Sequence, residues 1–476
     1  MLFKHSFIYA ITQILPAAMT LIGISVFTRL LSPEDYGLYS LTLLLAAAGT
    51  TIFYQWLSLS LGRYYQEYVH SDQKVFLLST TLLSFVLISV VIAIVSGILN
   101  LVLESEINFV VVGAVILSGA WFEINKRLSN ADLKPSSYAI SLGIKSTLAV
   151  FGGYVAILAG FGVSGILIAL CTSFCVATLV QYRYWMGFSV SKVSKPVFYK
   201  MADYGLPLTL TFLMLFVING SGKFFLDQSI GKSAVGLFSV AFDFTQYIIL
   251  TICAVLHLAG FPLILKAYTE RGEAEGKKQL LKSFNLLLCI SMPIVFGLIV
   301  TVDEVTAIFL GNEFRESAVI YIPILSIALL TMVFKSYYFD YAFQLAKNTK
   351  LQVVGVIAGA IASFVSNPIL ISYFGIMGAC YAILISFLVY LFVCIYLGNK
   401  VFDMPRLPWL NISKIIFACV LMVIVVKIIK FENLYILISV KILIGTLAYT
   451  VLLWIMNYLG LRNIVKLKLS KNITFK

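Results

Sequence analysis

The sequence predicts an all-α polytopic membrane protein of about fourteen transmembrane helices, built as two pseudo-symmetric six-helix bundles plus two C-terminal helices. Three observations predict it. The 476 residues are 61% hydrophobic and only 12% charged, with a mean hydropathy of +1.00, whereas a soluble chain is about 45–50% apolar and about 25% charged. Fourteen apolar runs approach or exceed the length of about 20 residues that a helix needs to cross a bilayer. Two stretches of the first half recur in the second half in the same order. Soluble multidomain proteins, disordered chains and disulfide scaffolds are excluded together.

The runs lie near 7–31, 38–62, 75–103, 107–124, 138–160, 162–182, 204–226, 234–262, 283–302, 318–345, 351–372, 375–398, 411–429 and 434–458. Lipid offers backbone groups no partner, so each reads as a helix. The alternation of barrel strands is absent. The first run exceeds a signal-peptide core of about 7–15 residues and reads as a retained helix, with Pro16 early in it and Arg29 closing it. The second opens at 36-YGLYS-40 and ends in 62-GRYYQEY-68. The third and fourth are followed by Lys126 and Arg127. The fifth carries Lys145, with Ser141 and Gly152 on roughly one face. The glycines of 161-FGVSG-165 permit a tight joint to the sixth. Pro207, Asn219 and Lys223 mark the seventh. The eighth opens at 235-VGLFS-239 and presents a polar stripe of Ser239, Asp243, Gln246 and Tyr247. Segment 269-TERGEAEGKKQ-279 reads as a solvated helical turn or loop before the ninth. The tenth carries Lys335, aligned with Thr331 and Tyr338, and Asp340, between Ser336 and Gln344. A second glycine joint, 374-FGIMG-378, links the eleventh and twelfth. The last two runs have no counterpart earlier in the chain.

The repeat pairs 36-YGLYS-40 with 235-VGLFS-239, and 161-FGVSGILIALCTSFCV-176 with 374-FGIMGACYAILISFLV-389. It matches the first helix to the seventh and the fifth and sixth to the eleventh and twelfth. The expected divisions are 1–183 (helices 1–6), 184–400 (helices 7–12) and 401–476 (helices 13–14 and a cytoplasmic tail). The formal charge of +13 reflects topology rather than nucleic-acid binding. With the N-terminus cytoplasmic, the outer side holds only Arg29, Lys232, Arg315, Lys427 and Lys430, and most other basic residues fall inside. Both termini are expected inside. The seven cysteines all lie in apolar runs, without CxxC or a Cys/His cluster. No metal, cofactor or nucleic acid is expected.

No catalytic motif stands out, so the chain is not expected to be an enzyme. Charges within spans are costly and face a cavity or a partner. Lys145 and Lys335 lie too deep to reach the interface easily, Arg29 and Lys223 stand near the outer ends, and Arg63, Lys266 and Lys441 read as snorkelling. The functional reading is a basic lumen that holds an anionic head group at Arg29, Lys145, Lys223 and Lys335. Asp243 and Asp340 would couple transport to H⁺ or Na⁺, or else partner a nearby lysine.

The chain resembles the polysaccharide/O-antigen (Wzx-like) flippases of the multidrug/oligosaccharidyl-lipid/polysaccharide (MOP) exporter superfamily. The residues that carry the resemblance are 27-FTRLLSPEDYGLYSL-41, 62-GRYYQEY-68, 309-FLGNEFRES-317 and 367-NPILISYFGIMGACYAILISFLV-389. It implies translocation of an undecaprenyl-diphosphate-linked oligosaccharide across the bacterial cytoplasmic membrane by alternating access. The partners would be that substrate, membrane lipids and polysaccharide assembly machinery. It also implies that cationic cavity residues, here Arg29, Lys145, Lys223 and Lys335, engage the diphosphate. The segment 219-NGSGKFFLD-227 departs from the acid–base pair often found there. A drug/cation antiporter or a lipid II flippase of the same superfamily stays open, and behind them an integral-membrane glycan polymerase or ligase and a scaffolding protein.

Overall fold

The computed structural model describes residues 2–69 and 73–460, with side chains from residue 15 onward. His70 and the expected cytoplasmic tail beyond residue 460 lie outside the described residues. Among the described residues there is no strand, and thirteen helices are long and apolar enough to cross a membrane. With the first helix, these account for the fourteen runs.

The helices follow the chain as α1 (Leu2–Leu30), α2 (Pro33–Tyr68), α3 (Lys74–Val102), α4 (Phe109–Ala131), α5 (Pro135–Leu158), α6 (Gly162–Thr178) and α7 (Lys195–Ser229). Next come α8 (Lys232–Arg271), α9 (Glu273–Val300), the short α10 (Val302–Phe309), α11 (Asn312–Phe334), α12 (Tyr341–Leu345), α13 (Lys350–Phe374), α14 (Ile376–Val401), α15 (Trp409–Ile428) and α16 (Leu434–Ile455). The tenth run is therefore α11 and α12 joined through a π-helical turn, Lys335–Phe339.

Local chemistry explains the boundaries. Ser32 caps α2 by accepting from the Asp35 N–H, and Pro33 starts the helix without needing a donor. Gly162 and Gly375, at repeat-equivalent joints, adopt φ of +53° and +58°, a backbone region in which glycine meets little steric penalty. Segment 269–279 proves to be almost wholly helical. A single residue, Gly272 at φ +86°, separates α8 from α9. The first turn of α9 carries Glu273 and Glu275, which favour its positive N-terminal end.

The chain forms two compact units. One runs to Val240 and includes Gly359–Ile383; the other holds Ala241–Ala358 and the chain from Leu384. In the first unit a core built on Tyr54, Leu57, Leu61, Leu77, Ile124 and Leu128 joins α2, α3 and α4. In the second, Leu280, Phe284, Tyr338, Ile415, Cys419 and Tyr449 hold α9, the π turn, α15 and α16 together. Lipid is as apolar as leucine, so close packing and polar contacts hold such helices. At Gly205 on α7 an added Cβ would stand 2.3 Å from the Trp56 carbonyl oxygen, and nearby the Ser60 hydroxyl donates to the Met201 carbonyl at 2.6 Å. Glycine is thus what lets α2 and α7 meet backbone to backbone.

A cationic seam and a buried ion pair

The two recurring pentapeptides meet in space. In the first unit, the opening turns of α2 and α8 press together at Gly37 and Gly236. A Cβ on Gly37 would stand 1.9 Å from the Lys232 carbonyl oxygen, and one on Gly236 would stand 1.9 Å from that of Pro33. No side chain fits either place. One turn further along, the Ser40 hydroxyl donates to the Ser239 hydroxyl at 2.8 Å. Repeat-equivalent residues thus touch each other. The half-buried Lys223 of α7 donates from Nζ to Ser40 Oγ at 3.0 Å, bringing a cation to this seam. Lys232, at the start of α8, pairs with Glu106.

Two further sequence-marked cations of the first unit have contacts of their own. Exposed Arg29, at the end of α1, donates to Ser25 one turn back at 2.8 Å. Lys145 on α5 is half-buried, with Nζ 5.5 Å from the centre of the Phe174 ring of α6, within cation–π reach.

In the second unit Lys335 and Asp340 come together. Lys335 Nζ lies 2.8 Å from Asp340 Oδ2, and both residues are 4% exposed. The same carboxylate oxygen accepts from Gln352 Nε2 of α13 at 3.0 Å. The Tyr390 ring of α14 lies 3.5 Å beneath the ammonium. The cause is the π turn. On a regular α-helix, residues five apart point about 140° away from each other. Here the Asp340 N–H bonds to the Lys335 carbonyl at 2.9 Å, a five-residue step that turns both side chains the same way. On the adjoining face His257 of α8 shares a 2.6 Å hydrogen bond with Tyr341 and stacks on Tyr337 at 4.9 Å. Asp243 is half-buried on α8.

Other ion pairs bear on the sequence reading. Lys441, read as snorkelling, is 8% exposed and pairs with Glu304 at 2.5 Å. Its depth is stabilised by a partner on α10, which hydropathy could not show. Arg63 and Lys266 are exposed and pair on their own helices with Glu67 at 3.3 Å and Glu270 at 4.0 Å. Sequence reasoning missed Gln352 and Tyr390, whose own helices give no sign that they face a charge. It missed the Ser40–Ser239 contact as well, although the repeat had marked both residues. Outside the membrane, burial alone would push the Asp132 carboxyl up. Hydrogen bonds from Lys134, Tyr184 and Tyr65 outweigh that and hold it below its ordinary value. Among the described residues, no group of three or more His, Cys, Asp or Glu is placed to hold a metal ion.

Comparison with known proteins gives the wider context. A family described as "Polysaccharide biosynthesis protein" matches residues 26–319. One curated relative is the probable low-salt glycan biosynthesis flippase Agl15 of Haloferax volcanii, 25% identical over 194 residues. That match spans 40% of this chain and 40% of the relative's length. Among solved structures, the lipid II flippase MurJ in an inward closed conformation aligns with a TM-score of 0.79 at 13% identity, covering 96% of this chain and 100% of MurJ. An inward-facing multidrug resistance MATE transporter of the MOP superfamily aligns at 0.61 and 18% identity, covering 82% and 97%. The chain shares its fold with these two structures.

Proposed function

Because the chain belongs to the polysaccharide biosynthesis protein family, we propose that it is a flippase that moves a lipid-linked oligosaccharide from one membrane leaflet to the other. The substrate is a repeat unit joined through diphosphate to undecaprenol. It travels from the cytoplasmic to the outer leaflet of the bacterial cytoplasmic membrane for cell-surface polysaccharide assembly, and both termini face the cytoplasm. The observation that carries this reading is the family match over 26–319, which takes in Arg29, Lys145 and Lys223. The Haloferax relative's name and the MurJ-like fold over nearly the whole chain support it.

The physical task is to move sugar and diphosphate through hydrocarbon. Each unpaired polar group left there costs several kcal/mol. Arg29, Lys145 and Lys223 lower that barrier by meeting the diphosphate with charge. Lys335 is balanced by Asp340 in this conformation. Uptake of H⁺ or Na⁺ at Asp340 would remove the charge that Lys335 balances, so the ammonium becomes available to an anion. Asp243 is the second coupling group. No covalent step is required, so the protein acts as a transporter rather than an enzyme.

The test uses the full chain in vesicles that carry the lipid-linked glycan in one leaflet, with a membrane-impermeant glycosidase reading its appearance in the other. Wild type exposes the glycan, and the Lys145→Ala/Lys223→Ala double variant, which leaves the Lys335–Asp340 pair intact, stops without loss of membrane-inserted protein. Full activity in that variant removes the proposed role of the two charges. Movement of lipid II instead, or gradient-driven export of an organic cation, would replace the substrate assignment.

A further inference from the structure

At the start of α7 lies a wide-mouthed cavity of about 650 Å³ that neither the cationic seam nor the buried pair uses. Tyr199, Lys200, Ala202, Asp203, Leu206 and Pro207, all of α7, line it. Tyr199, Asp203 and Pro207 follow at steps of four residues and so share one helix face. The Tyr199 ring is 69% exposed. Pro207 has no N–H, so the carbonyl of residue 203 has no partner four residues on within the helix and is a ready acceptor. Lys200 ties the cleft to the end of α2. Its Nζ bonds Glu67 at 3.0 Å and lies 4.5 and 5.3 Å from the ring centres of Tyr64 and Tyr68. Tyr204 meets Tyr64 edge to face, with ring centres 5.6 Å apart.

The charges here cancel. Glu67 is shared by Lys200 and by Arg63 at 3.3 Å, and Asp203 supplies the second carboxylate. A lining with one cation and one anion, Lys200 and Asp203, gives neither the positive excess that a diphosphate requires nor the negative excess that an organic cation requires. What remains is the open ring of Tyr199, with Leu206 and Pro207 on the same wall and Lys200 and Asp203 as its polar neighbours. Tyrosine offers an apolar ring face with a polar tip. A sugar is its complement, with C–H faces to stack and hydroxyls to bond.

The geometry points to a docking site for the glycan portion of the substrate in this cleft, with Tyr199 as the stacking platform and Asp203, its carbonyl and Lys200 as hydroxyl partners. The assignment rests on the flippase reading, since it names where that substrate's sugar binds, and it places sugar recognition apart from the cations assigned to the diphosphate.

The probe is the lipid-free oligosaccharide released by mild acid from the lipid-linked glycan of cells carrying this chain. Its binding to the detergent-purified full chain is titrated directly, and translocation is followed in parallel in vesicles. Wild type binds the oligosaccharide. Tyr199→Ala and Asp203→Asn each weaken binding at least tenfold, whereas Tyr199→Phe stays within about threefold because stacking survives. Tyr199 is so exposed that its replacement leaves the packed core intact, and unchanged thermal stability checks this. Equal binding by wild type, Tyr199→Ala and Asp203→Asn overturns the proposal, as does no binding by wild type. Tyr199-dependent binding without any translocation keeps the docking site and removes the flippase reading.

Discussion

Replacing one member of the Lys335–Asp340 pair tests the structure where it departs furthest from regular helix geometry. Two unit charges 2.8 Å apart attract by roughly 6 kcal/mol at an effective dielectric constant near 20. Desolvating both groups consumes much of that gain, because each is 4% exposed. The intact pair therefore contributes little net stability, while an unmatched partner is severely destabilising. Lys335→Met should lower stability by about 3–5 kcal/mol, and Asp340→Asn by a similar amount. The double variant should regain much of the loss, since no buried charge is left unbalanced. Tyr390→Leu removes a desolvated cation–π contact at 3.5 Å and should cost about 2 kcal/mol. The assay is equilibrium unfolding in mixed micelles, arranged as a double-mutant cycle. A double variant as unstable as the sum of the two singles, or single losses below about 1 kcal/mol, would refute the pairing and with it the five-residue turn.

Other outcomes follow from the remaining contacts. Gly37→Ala or Gly236→Ala forces a methyl to within 1.9 Å of a carbonyl oxygen and should cost upward of about 3 kcal/mol, read by the loss of folded protein on heating. In a background without the seven native cysteines, Ser40→Cys/Ser239→Cys should oxidise readily, because the two hydroxyls lie 2.8 Å apart; protection from maleimide after denaturation, lost on treatment with a reductant, reports it. Lys223→Met should slow glycan translocation at least tenfold while the amount of membrane protein stays normal. Asp132→Asn should lower stability by about 1–3 kcal/mol at pH 7, as expected for hydrogen bonds to a charged group. The folded carboxyl is held below its ordinary value of 3.8, so its contribution is complete above that pH and fades as pH falls through the depressed value. The gap between variant and wild type should close below about pH 3.8, as pH-dependent unfolding curves would record.

Hydropathy alone determined the fold class and the places of the spans, because hydrocarbon requires about twenty apolar residues and a closed hydrogen-bond pattern for each crossing. The repeat marked Gly37, Ser40, Gly236 and Ser239 in advance, and the joint glycines at 162 and 375 declared the turns they form. The depth of Lys145 and Lys335 was also legible, as a charge inside an apolar run. What each charge faces was not, beyond the alternative that Asp340 partners a nearby lysine, which the Lys335 contact bears out. Lys335 finds Asp340 only because the helix widens for one turn, and a 3.6-residue period applied to the sequence points the two apart. Lys441 finds Glu304 across more than a hundred residues of chain, and Tyr390 reaches Lys335 from a separate helix. Such pairings depend on which helices are neighbours and at what rotation. Close backbone approach and buried polar contacts decide that between segments, and a linear pattern of apolar residues carries no record of it.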